Sequence, residues 1–311
     1  MNRKIINFTV ISISIVFIFF LITASEIVKE SVSFSVSIWK DNLFPTLFPF
    51  FIVSNILIQY NFTDLIGRIL AKPMQKIFKL PGCSSYVLIN SLFSGFPSGA
   101  KYTSLLVKNK YLSSVEGSRL LTFTHYSNPL FIMGFIGSTI LNKKIGFIIL
   151  ISHILGGLLV GKIFSFNSSY DFKTVKETKK VDNIPIGKAL STSIYDSLNT
   201  MFLLLGIVTI FTLLTAFISN ILNLDNFTKT ILSGLLEMTQ GINNINTLNI
   251  NLLSKSIIIT LFISFGGFSV HMQVLSIISE VNLKYKSFFI ARILHSILAC
   301  GLVFILYIIT Y

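Results

Sequence analysis

The sequence predicts an all-α integral membrane protein of transporter-like build: about six membrane-spanning helices plus two re-entrant hairpins in an inverted repeat. Three observations carry that expectation. Hydrophobic residues make up 52% of the 311 positions and charged residues only 12%, with a mean hydropathy of +0.78, whereas a soluble domain carries roughly 25% charge. Apolar runs of spanning length recur along the chain, separated by short cationic clusters. Two of the apolar stretches are broken by glycine and polar residues, SLFSGFPSGAK at Ser91–Lys101 and ISFGGFSVHMQ at Ile263–Gln273.

Taken in order, Arg3-Lys4 precedes an uncharged run, Ile5–Ala24, which reads as the first span with its N-terminus inside. A cleaved signal peptide is the rival reading, but the run exceeds the usual apolar region of about 7–15 residues. Trp39 marks a headgroup-level position, and Leu43–Leu57 follows as a span kinked by Pro45 and Pro49, with Asn55 at membrane depth. Over Asp64–Lys79, Arg68, Lys72, Lys76 and Lys79 recur at helical spacing among apolar residues. That pattern suits a helix on the inner membrane surface, or an ordinary solvated helix face.

Cys83–Phe93 is too short to span and ends at the first break, and Tyr102–Val107 leads back to Lys108. A re-entrant hairpin is preferred here over one kinked span. Ser113 and Glu116 match a capping box, so a helix starts there and continues into Leu120–Leu141 through the polar stretch Thr124–Pro129. Ile145–Val160 is the next span, with Gly156, Gly157 and Gly161 permitting close helix contact. Residues 165–188 are polar and lysine-rich, read as a cytoplasmic linker between an anchor (1–40) with a first repeat (41–164) and a second repeat (189–311). Ala189–Ile221, the second break and Phe288–Thr310 complete the chain.

The two breaks can be superposed with Gly95-Phe96 over Gly267-Phe268. Around the first stand Arg68, Lys72, Lys76, Lys79, Lys101, Lys108, Lys110 and Arg119, but around the second only Lys229 and Lys255. By the positive-inside rule the first hairpin enters from inside and the second from outside, which leaves Lys143, Lys144, Lys284 and Lys286 on the wrong side.

Freed backbone groups at such breaks survive in a membrane only where protein or a wet cavity satisfies them, and they mark a transporter's central site. The candidate solute-binding residues are therefore Ser94, Gly95, Pro97, Ser98, Gly99 and Lys101 at the first break, and Gly266, Gly267, Ser269, His271 and Gln273 at the second. His125 and Asn128 join them from the Thr124–Pro129 stretch, Glu237 from LLEMTQG, and Arg292 from the last span. Lys101 and Arg292 would supply charge to a polar or anionic solute, paired with Glu237 when the site is empty, and His125 or His271 could carry a coupled proton.

No hydrolase, metalloprotease, phosphate-loop or dinucleotide signature is present, so no catalytic residue, metal or cofactor is assigned and no enzyme is expected. Cys83 and Cys300 each stand alone in apolar sequence and read as buried free thiols, with a disulfide between them the lesser alternative. The formal charge of +13 sits in short clusters between apolar runs, which fits anionic lipid and not nucleic acid.

In order from about residue 40 to the C-terminus, LFPFFIVSNIL, LPG, GFPSGAK, the Glu116–Leu121 helix, HYSNPLFIMG, LLEMTQG and FGGFSVHMQV resemble the YlbJ family of sporulation integral membrane proteins. The resemblance implies a Gate (nucleoside-recognition) domain of two hairpin-containing repeats, shared with spore maturation proteins, a ferrous-iron transporter family and concentrative nucleoside carriers. It also implies a multi-pass cell-membrane protein, forespore or mother-cell, needed for spore formation through cortex assembly. Its partners would be the bilayer, a small polar solute and other sporulation membrane proteins. A non-transporting scaffold for those proteins is the alternative role. One departure is His125-Tyr126-Ser127-Asn128, where the family pattern leads one to expect a small Ser/Asn-rich run such as SNTSG.

Overall fold

The computed structural model describes residues 3–60, 62–166 and 184–311, and these form helices without a strand. The expected linker, 165–188, falls mostly outside the described residues.

The first half comprises α1 (Arg3–Thr23), α2 (Ser25–Ile38), α3 (Phe44–Gln59), α4 (Phe62–Phe78), α5 (Ser84–Ser94), α6 (Ser98–Lys108), α7 (Ser114–Leu121) and α8 (Lys143–Ser165). The second comprises α9 (Ile186–Leu222), α10 (Asn226–Leu236), α11 (Met238–Asn244), α12 (Leu252–Phe265), α13 (Gly267–Ile278) and α14 (Tyr285–Thr310). Wide-turned π-helical stretches, Trp39–Leu43 and Phe131–Ile140, join α2 to α3 and precede α8.

Among the described residues four segments are long and apolar enough to cross a membrane: α8, α9, Leu252–Ile278 and α14, with the α1–α2 pair, bent by 96°, a fifth if it counts as one span. The chain is an integral membrane protein. The spans expected over Leu43–Leu57 and Leu120–Leu141 appear instead as shorter apolar helices, α3 and the stretch Phe131–Ile140. Their helical ladders are interrupted on the N-terminal side, by the π-turn before α3 and by the irregular residues 124–128.

The first break is a hairpin, with α5 and α6 packed on one another, and the capping box at its exit forms as expected: Ser113 Oγ accepts from the Glu116 N–H at 3.2 Å. The second break differs from its expectation. Gly266, at φ +90°, interrupts the helix but does not turn the chain back, so Leu252–Ile278 is a broken span and not a second re-entrant hairpin. The hairpin of the second half lies earlier in the chain, where α10 and α11 pack together about Glu237.

This difference relocates Lys284. The Lys284 N–H donates to Ser118 Oγ at 2.9 Å, and Lys108 pairs with Glu280 at 3.6 Å. Arg119 bonds the Lys79 carbonyl at 2.7 Å, and Ser165 bonds the Phe78 carbonyl at 2.8 Å. One face of the molecule therefore gathers Lys79, Lys108, Arg119 and Lys284, so Lys284 rejoins the basic side. Lys143 and Lys144 stay at the opposite end, where Lys144 Nζ donates to the Thr310 carbonyl at 3.1 Å.

α8 and α14 form the antiparallel spine. A Cβ on Gly156 would stand 3.1 Å from Ala299 Cβ, and Cβ atoms on Gly157 and Gly161 would meet the rings of Tyr126 and Phe123 at 2.6 Å. Gly156 thus lets α14 close on α8, and Gly157 and Gly161 make the slot for the rings of Tyr126 and Phe123 from the irregular residues after α7, the close contact read from the sequence.

Candidate functional site

The site is built from four places where helix stops short. At the tip of the first hairpin α5 ends on Gly95, φ +74°, where a Cβ would stand 2.9 Å from the Asn128 nitrogen. Only glycine fits that conformation at that distance. Asn128 Nδ2 donates to the Phe93 carbonyl at 2.8 Å, and its Oδ1 accepts from the Leu130 N–H at 2.7 Å. One amide thereby satisfies the last turn of α5 and the first turn of the helix after Pro129.

At the second hairpin the chain is extended at Glu237, whose carboxylate accepts from the Gln240 N–H at 2.9 Å and the Thr239 hydroxyl at 3.1 Å, capping α11. A Cβ on Gly241 would stand 2.2 Å from Gly234 Cα, so the two arms touch backbone to backbone. Gly267, φ +69°, seats the elbow of the broken span on this tip, since its Cβ would lie 3.2 Å from the Leu236 oxygen and the Met238 nitrogen.

These four ends meet at one cavity of about 50 Å³. Ser94, Gly95 and Phe96 reach it from the first hairpin, Ser127 and Asn128 from the break after α7, Glu237, Met238 and Thr239 from the second hairpin, and Ser269, Val270 and Gln273 from α13. Leu43, Leu47 and Phe51 of α3, Phe131, and Leu204, Ile207 and Val208 of α9 close it with apolar surface. A water needs roughly 10–15 Å³ on this measure, so the space suits a few waters or one small solute. It lies well below the roughly 300–1,000 Å³ of a drug-sized pocket.

Six of the residues singled out from the sequence meet here: Ser94, Gly95, Asn128, Glu237, Ser269 and Gln273. Gly266 and Gly267 shape the elbow without lining the cavity, and Pro97 and Ser98 begin α6 beside it. A Cβ on Gly99 would fall 1.6 Å from the Thr124 oxygen, so Gly99 packs hairpin against break.

Lys101 is corrected. The buried face of α6 takes Tyr102, Thr103 and Leu106, which leaves Lys101 exposed with its Nζ 5.9 Å from the Tyr102 ring. Arg292 is corrected as well: it is fully buried but donates to the Thr122 carbonyl at 2.6 Å and the His125 carbonyl at 2.8 Å, with Nη1 3.0 Å from His295 Nδ1. It satisfies the carbonyls of the broken α7, whose partial negative charge takes the place of a carboxylate. The expected pairing of Lys101 or Arg292 with Glu237 is absent.

The histidines lie behind the cavity. His271 Nε2 donates to the Phe265 carbonyl at 3.2 Å and its Nδ1 accepts from Tyr285 at 2.9 Å, tying α13 to α12 across the break. His125 packs edge-on against Phe288, ring centroids 4.7 Å apart, and neither ring nitrogen has a partner. Two further groups complete this layer. His153 Nε2 accepts from the Ser127 N–H at 3.0 Å and its Nδ1 lies 2.9 Å from Ser264 Oγ, while His295 Nε2 donates to the His153 carbonyl at 2.7 Å. His153 escaped the sequence reading as a lone polar residue in an apolar run, although an intramembrane histidine is itself a signal.

No family model matches the chain, and no solved structure matches it. Among curated proteins it is similar to the sporulation integral membrane protein YlbJ of Bacillus subtilis (strain 168), 32% identical over 330 aligned positions that cover 93% of this chain and 81% of that protein. The chain belongs to the YlbJ family. An alignment over 93% of the chain takes in most of both halves.

Proposed function

We propose that this YlbJ-family protein acts in spore formation, through cortex assembly, as a non-enzymatic transporter of a small polar solute. It would work in the forespore or mother-cell membrane beside other sporulation membrane proteins. The observation that carries this reading is the convergence of four interrupted helices on one cavity, where the Glu237 carboxylate, Asn128, Gln273 and serine hydroxyls meet inside a largely apolar wall. In a bilayer, irregular backbone is tolerated only where protein buries it or a cavity wets it, and paired broken helices at a repeat interface are how secondary transporters build a binding site.

An inverted repeat of the Gate type is part of the proposal. Each half contributes a hairpin and then a broken helix: α5–α6 followed by α7 and Phe131–Ile140, then α10–α11 followed by α12 and α13. On this pairing the first break corresponds to the Glu237 turn and the Thr124–Asn128 stretch to Gly266, in place of the direct superposition of Gly95 on Gly267.

The lining lacks a cation among the described residues, which argues against an anionic solute. Flux in proteoliposomes tests the transport reading. Wild-type protein should move one of a panel of small polar solutes, and Gly95→Leu, which drives a side chain into Asn128, should reduce that flux at least tenfold. Equal flux for the two proteins would remove the reading.

A further inference from the structure

We propose that the cavity is a monovalent-cation site that takes an alkali-metal ion or a primary ammonium group, with Glu237 as its counter-charge. The inference rests on the transport reading for its location and names the class of solute.

Among the described lining residues Glu237 carries the single charge, and its side chain is 4% exposed. A carboxylate offers about four acceptor positions, of which the Thr239 hydroxyl and the Gln240 N–H occupy two. Neither Lys101 nor Arg292 reaches it, and the ion pairs among the described residues lie elsewhere. A second acceptor waits in the same wall: Gln273, 7% exposed, has its Oε1 buried without a hydrogen-bond partner. Ser94, Ser127 and Ser269 add hydroxyl oxygens, and the surrounding leucines and phenylalanines make the rest of the wall apolar.

A carboxylate enclosed in this way is costly unless a positive charge accompanies it. One carboxylate balances one charge. A divalent ion would leave net positive charge in an apolar wall and would seek six or more oxygen ligands. The volume of about 50 Å³ admits an alkali ion with part of its water shell, or an ammonium head, and excludes bulky organic cations.

The full-length protein in detergent, held at constant ionic strength in N-methyl-D-glucamine chloride, is titrated separately with sodium, potassium, ammonium and methylammonium chloride. Thermal unfolding and calorimetry are read. At least one small cation should give saturable stabilisation, the sodium and potassium arms identifying an inorganic ion and the other two an ammonium group. In Glu237→Gln the half-saturating concentration should rise at least tenfold. Because Glu237 also caps α11, Gln273→Leu serves as the second variant, with a severalfold weakening expected.

Absence of saturable stabilisation by every small cation, or unchanged half-saturation in both variants, would overturn the proposal. Cation binding without flux leaves the site and removes transport. Flux without cation binding does the reverse.

Discussion

Asn128 closes one helix and opens another: its side-chain amide lies 2.8 Å from the Phe93 carbonyl at the end of α5 and 2.7 Å from the Leu130 N–H on the far side of the break. Replacing it with alanine leaves a part-buried carbonyl and a part-buried N–H without partners, at up to about 1–3 kcal/mol for each such group. Asn128→Ala should lower the thermal midpoint of the purified protein and reduce flux, whereas Ser94→Ala, whose hydroxyl makes no bond to either helix end, should leave the midpoint near wild type.

Arg292 and Lys101 looked alike in the sequence and differ in the fold. Arg292→Met strips partners from the Thr122 and His125 carbonyls and from His295, with hydrogen bonds from a charged donor contributing roughly 1.5–3 kcal/mol each. Little monodisperse protein should be recovered, and Arg292→Lys should rescue only part of the yield because one ammonium cannot fork to both carbonyls. Lys101→Gln should match wild type in size-exclusion profile and in flux.

Two glycines in spanning helices should respond in opposite ways. Gly157→Ala places a methyl 2.6 Å from Tyr126 and should destabilise by about 1–3 kcal/mol, while Gly206 has nothing within 4 Å and Gly206→Ala should be neutral or stabilising by up to about 1 kcal/mol. Thermal melts in one detergent compare them directly.

The sidedness of the basic residues can be read by labelling. On a background without Cys83 and Cys300, Lys108→Cys and Lys284→Cys should react with a membrane-impermeant maleimide from the same side, and Lys144→Cys from the other. Labelling of Lys284→Cys together with Lys144→Cys would restore the re-entrant reading of residues 263–273.

Much of this was legible in the residues, for reasons that are local. Glycine and proline in an apolar run announce a break whatever surrounds it, so Gly95, Gly266 and the stretch before Pro129 were identified, and the capping box at Ser113 needed only its own four residues. What a break does next is decided by packing. Gly95 and Gly266 carry the same local signal, yet after the first the chain doubles back on α5 and after the second it runs on to Ile278. The turn at Glu237 contains no proline and was read as a lone acid, because its extended backbone depends on the contact of Gly234 with Gly241. Arg292 misled for the same reason: a buried guanidinium can be balanced by main-chain carbonyls, which leave no trace in side-chain spacing.

α9 has 37 residues and so measures about 55 Å, nearly twice the roughly 30 Å of hydrocarbon it must cross. Its first turns carry Lys188 and Asp196, which the excess length leaves room for outside the acyl chains, while Leu204, Ile207 and Val208 near its middle form part of the cavity wall. One helix therefore reaches from beyond the hydrocarbon to the wall of the cavity, so a change at its outer end and a change at the cavity share a single continuous backbone ladder.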